Sequence, residues 1–513
     1  MSGADTWKHK QKNRRGTNGM IPTDSDYHRE RDAEGRDELV KRVRQKIDAL
    51  GVDYIYYQYI SITGRVMGKA APARHWETQA RKGVQTWMGG VSNVTPNFQG
   101  ELIGFDANAM ECIALPDPET FVQLPWDKRI ARVFCTLFYG IEDPEKPGEY
   151  YEYDTRGNLK RFDREFREKH NGLYLKVGLE PEMLWLKPKE GEVQPFEGMT
   201  QPFAYHIGQF EEVREVWKQV SDYALAMGLD MIQGDCEDSP GQVELNYQFD
   251  DALQTCDRMT TYRQICAEVA RQRGLIACFM AKPYMGYAAN GCHHNCSLWT
   301  GGQREVQQLT KDDLPGMEEN WEYSVGGTNE FESTEGDWLP SELGHHALGG
   351  SLKHINALTA IGASTVNSYR RFNDFGLWAP IGANWGLQNR SCAVRISSPD
   401  RFEFRAVDSM VNPHLFCGAL IKALDDGITN KIDPGKPEAR NVTEIWMSGE
   451  EEVNLIPLNL RDALEALEKD EVIRSAMPGK LYGLYQEYKQ DEWTRFLREV
   501  TNWDVERYLH CVP

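Results

Sequence analysis

No apolar run in this chain of 513 residues approaches the length of a membrane span. The N-terminus is polar and lacks the apolar core of a signal peptide. There is no CxxC pair: the eleven cysteines are scattered, as reduced thiols are in a cytoplasmic protein. Basic residues are in deficit, 58 against 78 acidic, and the net charge of −20 excludes a general nucleic-acid binder, which needs a basic face. The expectation is therefore a cytoplasmic protein with neither membrane nor nucleic acid as partner. No GxxxxGK[ST] loop occurs, so any phosphate chemistry is not of the P-loop kind. No repeat at solenoid spacing and no low-complexity tract is found.

What is present divides unevenly. Residues 1–35 are polar and charged and read as a loose, disordered arm. Residues 36–143 open with helical apolar spacing in DELVKRVRQKIDAL. They continue as β-rich material, beginning with DYIYYQYISITGRVMGKAAP, a hairpin turning at Thr63-Gly64. So many aromatics on one hairpin suggest a face that a lone small domain leaves exposed. From 144 to 513 strands alternate with amphipathic helices such as EVREVWKQVSDYALAMG and LRDALEALEKD. The whole reads as an α+β chain of two domains.

The strands carry an unusual set of polar residues. Side chains two apart on a strand share a face. GLEPEMLWL thus pairs Glu180 with Glu182, and GQVELNY aligns Gln242, Glu244 and Asn246. Glu237 precedes the Pro240-Gly241 turn, and CHHNC puts His293 and Asn295 together with His294 opposite. RFEFR sets Arg401, Glu403 and Arg405 on one face and Phe402 and Phe404 on the other. A lone strand carboxylate usually faces solvent. Several carboxylates with one imidazole form a hard ligand set suited to Mg²⁺ or Mn²⁺, two or more ions per site. Arg370, Arg371, Arg390, Arg395, Arg401 and Arg405 supply the complement, since guanidinium holds carboxylate and phosphate bidentately. Cations and arginines together suit phosphoryl transfer.

The order GLEPEMLWL, CEDSPGQVEL, FMAKPYMG…GCHHNCSLW, NSYRRF…WAP…NRSCAVRI, RFEFRAVDSMVNPHL closely resembles the glutamine synthetase family, from about residue 40 to the C-terminus. LPDPETFVQLPW resembles the family's N-terminal β-grasp domain. The resemblance implies that β-grasp domain followed by a catalytic domain built on a curved antiparallel sheet. It implies a homo-oligomer, a dodecamer of two hexameric rings with active sites shared between subunits. It places Glu182, Glu237 and Glu244 on one metal and Glu180, His293 and Glu403 on the other. ATP falls to Arg390, Arg395, Asn295 and Arg401, and glutamate to Arg371, Arg405 and Glu182, with Arg371 and Arg390 also catalytic. The implied reaction has two steps. ATP phosphorylates the γ-carboxylate of glutamate, and a nitrogen nucleophile then displaces phosphate.

The departures from the family pattern bear on the nucleophile. Where the family carries an acid in a flap before Ala-Pro, this chain has Trp378, and where the first domain supplies a second acid it has Ser61. The second His of the family's HxH is Asn295, and MGYAANG lacks the usual Asn-Gly that contacts glutamate. Losing two carboxylates removes a cation site, and an indole offers a stackable wall. Trp378 and Ser61 are therefore expected at an amine bulkier than ammonia, aniline-like in the favoured reading, with Asp374 as a candidate base for an alkylamine. The activity expected is a glutamate–amine ligase of nitrogen metabolism and amine catabolism, possible as γ-glutamylanilide synthesis. The alternatives are an ammonia-using glutamine synthetase and a catalytically silent ring-forming member.

Overall fold

The structure, a computed structural model, describes residues 23–106, 108–140, 143–189, 192–195, 204–308, 320–333, 338–374 and 378–510. The chain forms two compact units, one of residues 1–95 with 104–157 and one of 96–103 with 158–513.

In the first unit, five strands lie side by side in the order Val66–Pro72, Tyr54–Ile60, Asp127–Tyr139, Glu111–Pro116, Val84–Trp87. Tyr54–Ile60 runs parallel to Asp127–Tyr139; the other neighbours along this path are antiparallel. Helix Arg36–Leu50 buries the periodic stripe Val40, Val43 and Ile47 and stops at Gly51, whose φ of 67° a glycine adopts without strain. The expected hairpin forms, with Gly64 at φ 79°. Its aromatic face is not left open: Ile55, Tyr57, Tyr59 and Ile60 are buried in the folded chain, and Tyr54 alone of that strand is largely exposed. That expectation is corrected, and with it one ground for assembly. The arm expected over 1–35 differs too. Residues 1–22 lie outside the described residues, but Asp26–Arg31 is a helix, capped by Ser25, with Tyr27 packed against Ile113, Leu115 and Phe138. One buried tyrosine in DYHRER gives no periodicity to read.

The second unit is built on an eleven-stranded sheet. Its spine runs Gly382–Leu387, Cys392–Ser398, Arg401–Phe404, Cys292–Thr300, Tyr174–Lys189, Gln242–Tyr247, Met231–Cys236. The pairs are antiparallel except the first, Gly382–Leu387 with Cys392–Ser398, so the sheet is mixed rather than wholly antiparallel. Phe402 and Phe404 are fully buried, and the Phe404 ring lies 5.2 Å from that of Phe416 on helix Pro413–Asn430. This helix meets Glu342–Lys353 closely. A Cβ on Gly350 would stand 2.1 Å from the Ala423 carbonyl oxygen, so a side chain there would force the helices apart. With one face sealed by apolar side chains, the polar alternation of each strand is left on the other face.

Candidate active site

Strand register assembles the polar face into rows. Directly opposed residues of antiparallel strands point the same way with Cβ atoms roughly 5 Å apart. Glu180 faces His293, Glu182 faces Glu244, and Glu244 faces Asp235 on the edge strand. Asn295 faces Glu403, which faces Arg395. Among the described residues, two groups bring three ligand atoms within 4.8 Å of one another: Glu180, His293 and Glu403, and Asp235, Glu237 and Glu244.

These rows line a cavity of about 450 Å³. Its walls include the predicted Glu180, Glu182, Glu237, Glu244 and His293, the predicted Arg371, Arg390, Arg395 and Arg405, and Trp378. Glu403 stands beneath it, 1% exposed, receiving hydrogen bonds from Arg405 Nη1 and from Arg395 Nη1 at 2.8 Å. His293 Nδ1 lies 3.1 Å from Glu180 and 3.4 Å from Glu403, while Nε2 is 3.2 Å from Arg371 Nη2, a donor, so Nε2 is the acceptor nitrogen. Arg371 also donates to the Arg405 carbonyl at 3.1 Å. Glu403 thus sits between two guanidiniums, but they are Arg405 and Arg395; Arg401, which the alternation set beside it, turns to Asn295 and Asp400 instead.

The two ends of the cavity differ in charge. At the arginine end burial opposes ionisation of Glu403, yet Arg405 and Arg395 hold its carboxyl below the usual range. Burial, then Arg405, pushes His293 well below its ordinary value, so it is a neutral imidazole. At the other end the carboxyls repel one another. Burial with Glu182 and Asp235 pushes Glu237 up to about 9. Burial raises Glu182 to about 7 against the pull of Arg371, and Asp235 to about 6. Glu244 is held well above the usual range by burial and by Glu180, Glu182 and Glu237. Buried carboxylates in such numbers call for cations. The donor set, oxygen-rich with one neutral imidazole, fits hard divalent ions.

Other predicted residues lie elsewhere. Asn295 gives its amide to Glu180 at 2.8 Å and accepts from Arg401 Nε at 3.2 Å; neither residue lines the cavity. Arg401 also pairs with Asp400. Asp374 is not on the wall either. Its carboxylate meets Lys282 at 2.6 Å and accepts from the Gly286 N–H at 3.0 Å. Burial works against it, but Lys282 and Gly286 hold its carboxyl below the usual range, which makes it a poor base. The flap position before Ala379 is described from Trp378 onward, residues 375–377 lying outside the described residues. Trp378 is 64% exposed, holds φ +64°, and its carbonyl accepts from Arg405 Nη2 at 3.1 Å. Ser61 belongs to the first unit, buried in the hairpin turn with Oγ accepting from the Arg65 N–H at 3.1 Å. Sequence reasoning missed Gln233, Asp235 and Tyr205, which line the cavity. The alternation Gln233, Asp235, Glu237 in QGDCE could have given the first two; Tyr205, at φ +65° in a loop, left no pattern.

Fold and site together define a class: an α+β enzyme whose sheet gathers clustered carboxylates and an imidazole, a donor set fit for divalent cations, against a bank of arginines. Residues 152–508 match the family model for the glutamine synthetase catalytic domain, and the chain belongs to the glutamine synthetase family. It is 33% identical, over 472 residues, to the glutamate–methylamine ligase of Methyloversatilis universalis, covering 89% of this chain and 96% of that protein. It is 30% identical to a glutamine synthetase of Rhizobium meliloti over 90% of this chain and 97% of that one. Among solved structures, a GmaS/ADP complex superposes with a TM-score of 0.77 at 28% identity, covering 92% of this chain and 99% of the other.

Proposed function

We propose that this protein is an ATP-dependent ligase joining the γ-carboxylate of glutamate to an amine larger than ammonia. One observation supports this most: Trp378, with no acid at its position, stands at the wall of a cavity that otherwise pairs metal-ligating carboxylates with arginines. In the first step a γ-carboxylate oxygen forms a bond to the terminal phosphorus of ATP as ADP leaves. In the second the amine lone pair attacks the acyl carbon, phosphate departs, and the nitrogen gives up a proton. Glu182, Glu237 and Glu244 would hold one Mg²⁺ or Mn²⁺, and Glu180, His293 and Glu403 another; when bound, such ions neutralise phosphate charge and polarise the transferred group. Arg390 and Arg395, on the cavity wall, would meet ATP phosphates. Arg371 and Arg405, on the same wall, would meet the substrate carboxylate and the acyl phosphate. Glu403 orients Arg395 and Arg405 by holding one nitrogen of each.

For the amine, the favoured reading is aromatic, an anilide product, because an arylamine brings a free lone pair at neutral pH and an indole stacks on it. The second reading is a small alkylamine, favoured by the methylamine ligase relative. Assembly as a dodecamer of two hexameric rings, with residues near Ser61 reaching a neighbouring site, belongs to the same proposal, as does a place in cytoplasmic amine catabolism. The decisive experiment is phosphate release with glutamate, ATP and a panel of ammonia, methylamine, longer alkylamines and anilines. Turnover with ammonia equal to the best larger amine would overturn the specificity; no amine-dependent turnover at all would overturn the ligase. Light scattering reads the assembly, and an active monomer would end that part.

A further inference from the structure

We infer that Asp235, which the family pattern of this site does not include, is a ligand of the ion held by Glu237 and Glu244. The inference rests on the two-ion reading above and concerns the make-up of one of its ends. Three observations lead to it.

The first is register. Glu244 lies on the strand Gln242–Tyr247 with Glu182 opposite on one side and Asp235 opposite on the other. All three carboxylates rise from the same face of the sheet, in one row. Met231–Cys236 is the outermost strand of the spine, so Asp235 closes the row at the cavity's rim. Glu237, two residues on, continues its side of the strand.

The second is reach. The carboxylate oxygens of Asp235, Glu237 and Glu244 fall within 4.8 Å of one another, a spread that one ion can bridge at the 2.0–2.6 Å typical of Mg²⁺ and Ca²⁺ oxygen ligands. Glu182 is not in that group.

The third is what the oxygens already do. Glu182 Oε2 accepts from the Gly291 N–H at 2.9 Å and from Gln242 Nε2 at 3.1 Å, and its Oε1 faces His293 Nδ1 at 3.9 Å. Its carboxylate is fixed between the two groups. Asp235 Oδ1 is buried without any hydrogen-bond partner, on the wall of the cavity. A buried oxygen in that state is costly unless something charged meets it. Asp235 adds a carboxylate to those of Glu237 and Glu244 at this ion, and more ligand charge tightens binding of a hard cation.

The test is Mn²⁺ binding by the full chain in its native assembly, without nucleotide, read from the electron paramagnetic resonance signal of free Mn²⁺. Asp235→Asn keeps the shape and removes the charge; circular dichroism checks its fold. It should lose one class of Mn²⁺ site by about tenfold or more, since even outer-shell losses run roughly 10–100-fold, and leave the other class intact. Asp235→Glu, which keeps the charge, should retain that class at least in part and guards against a misfolded Asn variant. The rise in melting temperature on adding Mn²⁺ should shrink for Asp235→Asn. Both classes binding to Asp235→Asn as to the wild type would overturn the inference and leave the two-ion reading standing. A wild type that binds no Mn²⁺ would overturn both.

Discussion

Removing a carboxylate from this site has a sign that depends on which end it comes from. Glu403 is 1% exposed and sits between Arg405 and Arg395, with His293 at 3.4 Å. Glu403→Gln takes the negative charge from two largely buried guanidiniums and leaves them facing each other. Breaking a buried pair in this way costs about 3–5 kcal/mol. Glu244 is 7% exposed, and burial with Glu180, Glu182 and Glu237 disfavours its charge. Asn246 Nδ2 donates to it at 2.8 Å, and a glutamine carbonyl can accept that bond. Its folded carboxyl value is raised, so the wild type bears a penalty that grows as pH rises above the ordinary carboxyl value of roughly 4.3 and is absent below it. Glu244→Gln therefore stabilises the metal-free protein at pH 7, or leaves it unchanged, and the gain disappears near pH 4. On the two-ion reading both variants lose a metal ligand and should lose turnover by several orders of magnitude. The assay is thermal unfolding in EDTA and again with Mn²⁺, beside phosphate release. In EDTA the Glu403 variant should melt below the wild type and the Glu244 variant at or above it. With Mn²⁺ both should fall below. If the two variants shift the same way in EDTA, the division of the cavity into a paired and an unpaired end is wrong.

Trp378→Glu combined with Ser61→Asp should raise turnover with ammonia relative to an arylamine or alkylamine, read as a ratio of kcat/KM values; an unchanged ratio removes these positions from amine selection. Asp374→Asn should lower activity less than about tenfold and leave the pH–rate profile in place, because Asp374 is engaged by Lys282 and Gly286; the 10²–10⁴-fold loss of a general base, with a lost limb in the profile, would restore it as the base. His354 is 4% exposed between Asp470 at 2.6 Å and Asp426 at 3.0 Å; burial opposes its charge, yet the two carboxylates raise its value. Its contribution is complete below the ordinary histidine value of roughly 6.5 and is lost as pH rises through the raised one, so His354→Gln should melt earlier than wild type at pH 6, with the gap closing as pH climbs; a gap that widens would contradict the assignment.

Alternation made most of the catalytic face legible. Because every second residue of a strand shares a face, Glu180 with Glu182, Gln242 with Glu244, and Glu403 between its arginines could be read from the chain alone. Which strand lies next to which could not. The family resemblance supplies the grouping of those carboxylates, Glu182 with Glu237 and Glu244, and the structure adds Asp235, whose carboxylate gathers with the last two. Asp235 has the same alternation behind it, two residues before Glu237 in QGDCE. Strand direction leaves no mark in a pattern of period two, so the parallel pair Gly382–Leu387 and Cys392–Ser398 was invisible. Asp374 failed for another reason. A carboxylate's use depends on its partner, and Lys282, buried and far away in sequence, is set beside it only by the fold.

The opposed ends also constrain what can fill the cavity. Arg371, Arg395 and Arg405 are already committed in part, to His293, Glu403 and the Trp378 carbonyl, but each retains donor nitrogens. The carboxylates at the far end have few donors to meet them. A neutral ligand would answer neither end. A polyanion alone would suit the arginines and be repelled by Glu237, Glu244 and Asp235. Divalent cations alone would answer the glutamates and leave the guanidiniums without a counterion. Only cations and a polyanion together satisfy both, with the cations between the carboxylates and the anion's oxygens and the anion's remaining charge on the arginines. The arrangement thus selects for a metal–phosphate ligand by charge pattern before any contact with a base or a sugar. Arg405 adds a link to the flap, since the guanidinium that pairs Glu403 also holds the Trp378 carbonyl.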